Sequence, residues 1–210
     1  MLIPDVFARF PAARPQRGIL HVGAHLCEEA ELYASLGFDP AGPNVLWIEA
    51  NADIAAAAAR RLRGAQNIVC AAVSHADDKT ETFHITNNGQ SSSLLPLAEH
   101  RNEHPDVYEI ATRNVQTITL DTLFARRGLA PDTFDVANLD IQGAELLALL
   151  GARTIIPHLR AIYTEVNTKP LYAGCALLHE MDAFLATDGF TRVALEMTNH
   201  GWGDALYLRS

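Results

Sequence analysis

The sequence predicts an α/β fold: a mostly parallel sheet with helices on both faces, closed by an antiparallel hairpin at the C-terminal end. Three observations predict it. Short apolar runs alternate with helical patterns along most of the chain. Glycine or proline punctuates the boundaries between them. The last two strand patterns are joined by a short Gly-containing turn instead of a helix.

Each element has a local reason. Residues 18–22 (GILHV) are an apolar run ending at Gly23, a buried strand. Residues 28–36 (EEAELYASL) read as a helix with acids at its N-terminus and Gly37 at its end. Residues 44–49 (NVLWIE) form the second strand, and Asn51 is placed to cap the Ala-rich helix that stops near Gly64. Residues 67–73 (NIVCAAV) read as a third strand. Residues 80–86 and 114–120 alternate polar and apolar, as half-exposed strands do. Between them lie the polar loop 87–93 and a weak helical segment broken at Pro105. Asp121 is placed to cap a short helix ending at Gly128. Residues 134–139 and 160–164 are further core strands, ending at Asp140 and Glu165, with a helix over 144–150 between them. A helix over 176–186 leads into the closing hairpin. Residues 1–17 read as an N-terminal extension or helix, and 18–210 as one domain.

Composition narrows the function classes. With 49% hydrophobic and 20% charged residues the chain is globular, not disordered. Sixteen Lys and Arg against 25 Asp and Glu give a net charge of −9. That balance argues against nucleic acid, whose phosphates require Lys and Arg. No apolar run reaches the roughly 18–20 residues of a membrane span, and the N-terminus has no signal-peptide pattern. Cys27, Cys70 and Cys175 are far apart and form no C-x-x-C pair, so zinc or redox motifs are not indicated. Free thiols fit a reducing cytosol, and a cytoplasmic location is expected.

In an open parallel sheet, ligands bind at the carboxyl ends of the strands where strand order reverses. Gly23 follows the first strand and permits a tight turn, and the next helix offers free N–H groups. Glu49 ends the second strand, where a carboxylate can accept hydrogen bonds from both hydroxyls of a ribose. Together they describe a pocket for an adenosine-containing cofactor. The turn lacks G-x-G-x-x-G, which weakens a dinucleotide reading and an oxidoreductase with it. S-adenosylmethionine, having no phosphates, places less demand on such a turn.

Several segments, in order, resemble the FkbM family of S-adenosylmethionine-dependent methyltransferases. They are HVGAHLCEE (21–29), WIEAN (47–51), NNGQSSSL (87–94), VQTITLDTL (115–123), FDVANLDIQGAELLALLGA (134–152) and GWGDALYLR (201–209). The D-I-Q-G-A-E stretch carries most of the specificity. The resemblance implies a Rossmann-like class I methyltransferase fold with a seven-stranded sheet. The cofactor site expected from these readings together draws on His21, Gly23, Ala24, His25, Glu29, Glu49, Ala50, Ser74, Ser92, Asp140 and Gln142. The family pattern more often has an acid where His21 stands, Asn at His25 and Gly at Cys27. His21 also reads as a neutral core histidine, and Glu28, Glu29 or a backbone carbonyl could replace the missing acid.

Methyl transfer to oxygen is an in-line displacement in which positioning matters most, and the hydroxyl nucleophile benefits from a base or a metal. Asp140 and Glu165, at the ends of two neighbouring strands, are expected to converge on the reacting group as general base and partner. They would also be the ligands if a divalent metal takes part. Glu145 could bind substrate or only favour its helix N-terminus. Asn167, Lys169 and Tyr172 fall in a loop facing substrate or solvent, and His200, Trp202 and Asp204 at the closing hairpin. The expected activity is O-methylation of a sugar, glycan or natural product, with residues 87–113 forming much of the acceptor pocket. The alternative is a non-catalytic module that binds an adenosyl ligand on the same fold.

Overall fold

Residues Ile19–Val22 form the first strand, β1, and all four are buried. Alternate side chains of a strand face opposite ways, so this run supplies two cores at once. Ile19 packs with Val45 and Trp47, while Leu20 and Val22 pack with Leu46, Ile48, Ala137 and Leu139. A strand buried on both faces belongs at the centre of a parallel sheet.

The structure, a computed structural model, describes residues 5–210. The first four residues of the expected N-terminal extension lie outside the described residues. The rest of that extension contains a short helix, α1 (Val6–Arg9), and a 3-10 turn over Pro11–Ala13. After β1 come α2 (Ala30–Ser35), β2 (Val45–Glu49), α3 (Ala52–Arg61), β3 (Ile68–Cys70), β4 (Ala72–Val73) and β5 (Thr80–Thr86). They are followed by α4 (His100–Glu103), β6 (Glu109–Ile118), α5 (Leu120–Arg127), β7 (Val136–Leu139) and α6 (Glu145–Leu150). The chain ends with β8 (Ala161–Asn167), α7 (Leu178–Thr187), β9 (Phe190–Met197) and β10 (Trp202–Arg209).

Among the described residues the strands form two sheets. The larger has seven strands in the order β3-β2-β1-β7-β8-β10-β9. The first five are mutually parallel, and β10 runs antiparallel to both neighbours. Leu123 and Phe124 of α5, Leu149 of α6 and Leu185 of α7 pack on the face that carries Leu20. Ala30 and Tyr33 of α2 and Ala58 of α3 cover the face that carries Ile19, and α1 packs there against Val136 and Tyr163. No helix among the described residues is long and apolar enough to cross a membrane.

Several boundaries differ from the sequence expectation. The run over 67–73 is two strands: β3 pairs with β2, and β4 leaves to pair with β6 in a second, three-stranded sheet with β5. Periodicity marks a strand but not its partner, and the long β5–β6 hairpin claims its second half. The expected strand at 114 begins at Glu109. The cap of α5 is Thr119, whose side chain accepts from the Thr122 N–H at 3.1 Å. Asp121 instead accepts from the Thr154 N–H and hydroxyl. The cap at Asn51 is as expected, accepting from the Asp53 N–H at 3.1 Å.

The entry into β1 is fixed by one carboxylate. Asp135 is fully buried and accepts from the backbone N–H groups of Gln16, Arg17 and Gly18 at 3.0–3.1 Å, with Arg160 at 3.3 Å. Truncating it strands three donors and a guanidinium. Asp135→Ala should therefore lower stability by about 3–5 kcal/mol, read from urea unfolding; a loss within error of zero would contradict this account of the β1 entry.

Candidate active site

The order of the main sheet reverses at β1. The chain moves outward from β1 through β2 to β3, then returns to place β7 on the other side of β1. Helices and loops diverge at that point and leave a crevice beyond the strand ends. A cavity of about 470 Å³ opens there, lined by residues that follow β1, β2, β7 and β8 and by the 88–94 loop. That volume is within the usual range for a small-molecule site.

Gly23 leaves β1 with φ of +90°, and a Cβ there would overlap the carbonyl oxygen of Asp140. Glycine is thus required by the close approach of two strand ends, not by a phosphate. The turn continues through His25 (φ 42°) and Cys27 (φ 59°), both left-handed. These are the two positions where the family pattern more often has Asn and Gly, residues that tolerate this conformation. Cys27 is fully buried, and burial pushes its thiol up to about 12. The helix after this turn starts only at Ala30, so His25 does not stand at a helix N-terminus as expected.

Glu49 ends β2, is buried and lines the cavity. One oxygen accepts from the His25 N–H at 2.9 Å and the other from the Asn51 N–H at 2.7 Å. Burial raises its pKa, and these two hydrogen bonds work against the rise. His25 Nδ1 meets Glu28 at 2.6 Å. His21 lines the cavity, but its Nδ1 is engaged with the Tyr33 hydroxyl at 2.9 Å and its ring lies 4.9 Å from that of Trp47. Burial lowers its pKa, against the pull of the nearby Glu29. Ala24, Glu29, Ala50 and Ser92 also line the cavity. Ser74 does not: it is buried beside His75, its N–H bonded to Ile118. The Ser74 expectation is corrected: Ala72 and Val73 of β4 still line the cavity, but at Ser74 the chain passes behind its wall, with the Ser74 carbonyl against Gly151.

The cavity floor holds the two expected carboxylates. Asp140 follows β7, whereas Glu165 lies inside β8, which runs on to Asn167 instead of ending at 164. Gln142 joins them: its Nε2 donates to Asp140 Oδ1 at 2.7 Å and to Glu165 Oε2 at 2.8 Å. Its Oε1 accepts from the Tyr172 hydroxyl at 2.6 Å. Asp140 is open to the cavity by surface area, yet the walls around it thin its hydration and hold its carboxyl up to about 6. Glu165 is buried, and burial followed by repulsion from Asp140 raises it further. Glu145 takes no part in the cavity wall. Its Oε1 accepts from the N–H groups of Ile141 and Gly143, closing the turn that carries Gln142, and burial pushes it up to about 7. Among the described residues no group of three or more His, Cys, Asp or Glu is arranged to hold a metal ion.

The cavity rim comes from three distant pieces of chain. His100 and His104 of the α4 segment line it, together with Leu171, Tyr172 and Trp202. Glu103 of α4 pairs with Lys169 and, at 3.3 Å, with His200. Asp204 lines the cavity and accepts a hydrogen bond from Tyr163. Asn167 is buried in β8, away from the cavity wall. His100 and His104 were not singled out from the sequence. Their i, i+4 spacing was the available signal, since it places both on one side of a helical turn.

No curated protein sequence matches the chain. Solved structures resemble it at low identity. Magnesium protoporphyrin IX methyltransferase (ChlM) from Synechocystis PCC 6803, with bound SAM, is 11% identical with a TM-score of 0.47, covering 98% of this chain and 76% of that one. A ribosomal protein L11 methylase from Lactobacillus delbrueckii subsp. bulgaricus is 16% identical at a TM-score of 0.46, covering 97% and 75%. A SAM-dependent methyltransferase from Aquifex aeolicus is 9% identical at 0.45, covering 99% and 94%. The family described as the methyltransferase FkbM domain matches residues 21–192, from the last turn of β1 into β9. The chain, with a mostly parallel seven-stranded sheet and a cavity at its switch point, belongs to the FkbM methyltransferase family.

Proposed function

We propose that the chain, through one domain spanning 18–210, transfers a methyl group from S-adenosylmethionine to a hydroxyl of a sugar, glycan or natural product. The observation that carries this reading is one cavity holding Glu49 beside the Gly23 turn and the Asp140–Glu165 pair on its floor. The donor set fits the cofactor. Glu49 is fixed by two backbone N–H groups, which leaves carboxylate lone pairs for the two hydroxyls of a ribose. The carboxylates around the cavity suit a ligand with cationic groups and no phosphate.

When bound, S-adenosylmethionine supplies an electrophilic methyl group on a sulfonium. The protein's share is to hold the acceptor oxygen in line and to receive its proton. Asp140 is the acceptor of that proton, its carboxyl open to the cavity and poised near 6. Gln142 orients Asp140 and Glu165 through one amide nitrogen, and Tyr172 fixes the direction of that amide. The oxygen gains a methyl and loses its proton to Asp140, and S-adenosylhomocysteine is the other product. Asp140 and Glu165 would also be the protein ligands of a divalent metal.

Calorimetry should show binding of S-adenosylmethionine and S-adenosylhomocysteine and not of NAD; binding of NAD alone would remove the proposal. Binding with no transfer to any acceptor would leave only the non-catalytic alternative. Asp140→Asn and Glu165→Gln should keep cofactor affinity and lose methyl transfer, the first by about 10²–10⁴-fold. Full activity in both variants would eliminate the paired-carboxylate role. Because Asp140 works as its anion, the transfer rate should drop about tenfold per pH unit below about 6 and level off above it. Asp140→Asn should lack that limb, and a flat wild-type profile across the range would contradict Asp140 as the base.

A further inference from the structure

Six carboxylates line the cavity (Glu28, Glu29, Glu49, Asp140, Glu165 and Asp204), and no Lys or Arg is among its described lining residues. The nearby ammonium of Lys169 is tied to Glu103 at the rim. The histidines at the β8 side of the cavity do not offset this charge. Burial, then the neighbouring His104, pushes His100 down to about 4, and burial lowers His104 as well. Both are neutral imidazoles near pH 7. An anion placed there would lose its water and meet no Lys or Arg among the described lining residues.

His100 adds an independent observation. It is 5% exposed and lines the cavity, yet its Nδ1 is sealed from solvent with no hydrogen-bond partner among the described residues. Its ring stands between those of His104, at 4.9 Å, and Tyr172, at 5.4 Å. Buried polar groups in native proteins are nearly always paired; this nitrogen is closed off as placed, so a ligand completes it only when the ring turns toward the cavity that it lines. Beside it, the half-buried Trp202 offers aromatic surface suited to the flat or C–H face of a ring, backed by the buried Leu171 and Tyr172.

We infer that the part of the cavity walled by His100, Tyr172 and Trp202 is the acceptor subsite. It takes a hydroxylated ring compound that is uncharged or amine-bearing, with His100 as its hydrogen-bond partner, and it rejects carboxylated or phosphorylated acceptors. This rests on the methyltransferase reading of the same cavity. It goes further by assigning acceptor charge and a residue that reads the acceptor.

The test begins with S-adenosylhomocysteine alone, whose failure to bind would count against the cofactor reading and not against the subsite. The chain loaded with S-adenosylhomocysteine is then titrated with two matched sets, glucose, glucosamine and glucuronate, and catechol, dopamine and protocatechuate. In at least one set the neutral or amine member should bind about tenfold or more tightly than its carboxylate. A carboxylate that binds as well as its partners, or no binding by any of the six, overturns the proposal. His100→Phe should weaken the best probe about tenfold while S-adenosylhomocysteine affinity stays unchanged, and His100→Gln should recover part of the loss. Wild-type probe affinity in either His100→Phe or, if that variant does not fold, His100→Ala would remove His100 from the subsite.

Discussion

A Cβ atom on Gly23 would overlap the carbonyl oxygen of Asp140, so β1 and β7 can end side by side only with glycine at that position. The geometry of the cavity follows from this contact. It holds the Gly23 turn against the first residue after β7, and so brings Glu49 and the floor acid Asp140 to the same opening. The same turn then runs through two left-handed residues, His25 and Cys27, before α2 can start. Its distortion is held from both sides, by Glu49 accepting from the His25 N–H and by Cys27 packing among Trp47, Tyr33 and Ala58.

The second organising feature is a group of carboxyls with no Lys or Arg among the described residues of the cavity wall. Asp140, Glu145 and Glu165 are all raised by burial, and the mutual repulsion of neighbours adds to it. Carboxyl groups in such surroundings are held by hydrogen bonds. Glu145 obtains them from backbone N–H groups of its own turn, and Asp140 and Glu165 from the single amide of Gln142. Gln142 itself sits at φ 58°, a left-handed position that the following Gly143 (φ 93°) continues. Three residues of one D-x-x-G-x-E-like stretch thus do distinct work: Asp140 faces the cavity, Gln142 distributes donors, and Glu145 fixes the loop between them.

Much of this was legible in the chain. The β1, β2 and β7 runs are apolar, short and followed by Gly or acid, and that pattern alone placed Gly23, Glu49 and Asp140 at strand ends on the ligand side of the sheet. Partner choice was not legible. The 67–73 run reads as one strand because its apolar period does not break where the chain changes sheets. Glu165 was placed after its strand because the run RAIYT ends in an acid, although β8 continues through it to Asn167. The histidines of α4 escaped notice for a different reason. Four helical residues leave almost no periodic signal, and tertiary contacts to the 169–172 loop, not local propensity, hold them in place.

The Glu103 tie has a consequence for the order in which this molecule assembles and breathes. It joins residues 66 and 97 positions apart in the chain, while the sheet beneath is built from extensive buried ladders. Long loops must close before such a tie forms, and little apolar surface backs it once formed: in α4 only His100 is buried. The rim therefore belongs to the low-energy end of the protein's opening modes. Amides of α4 should therefore exchange with solvent through local opening while those of β1 and β7 stay protected.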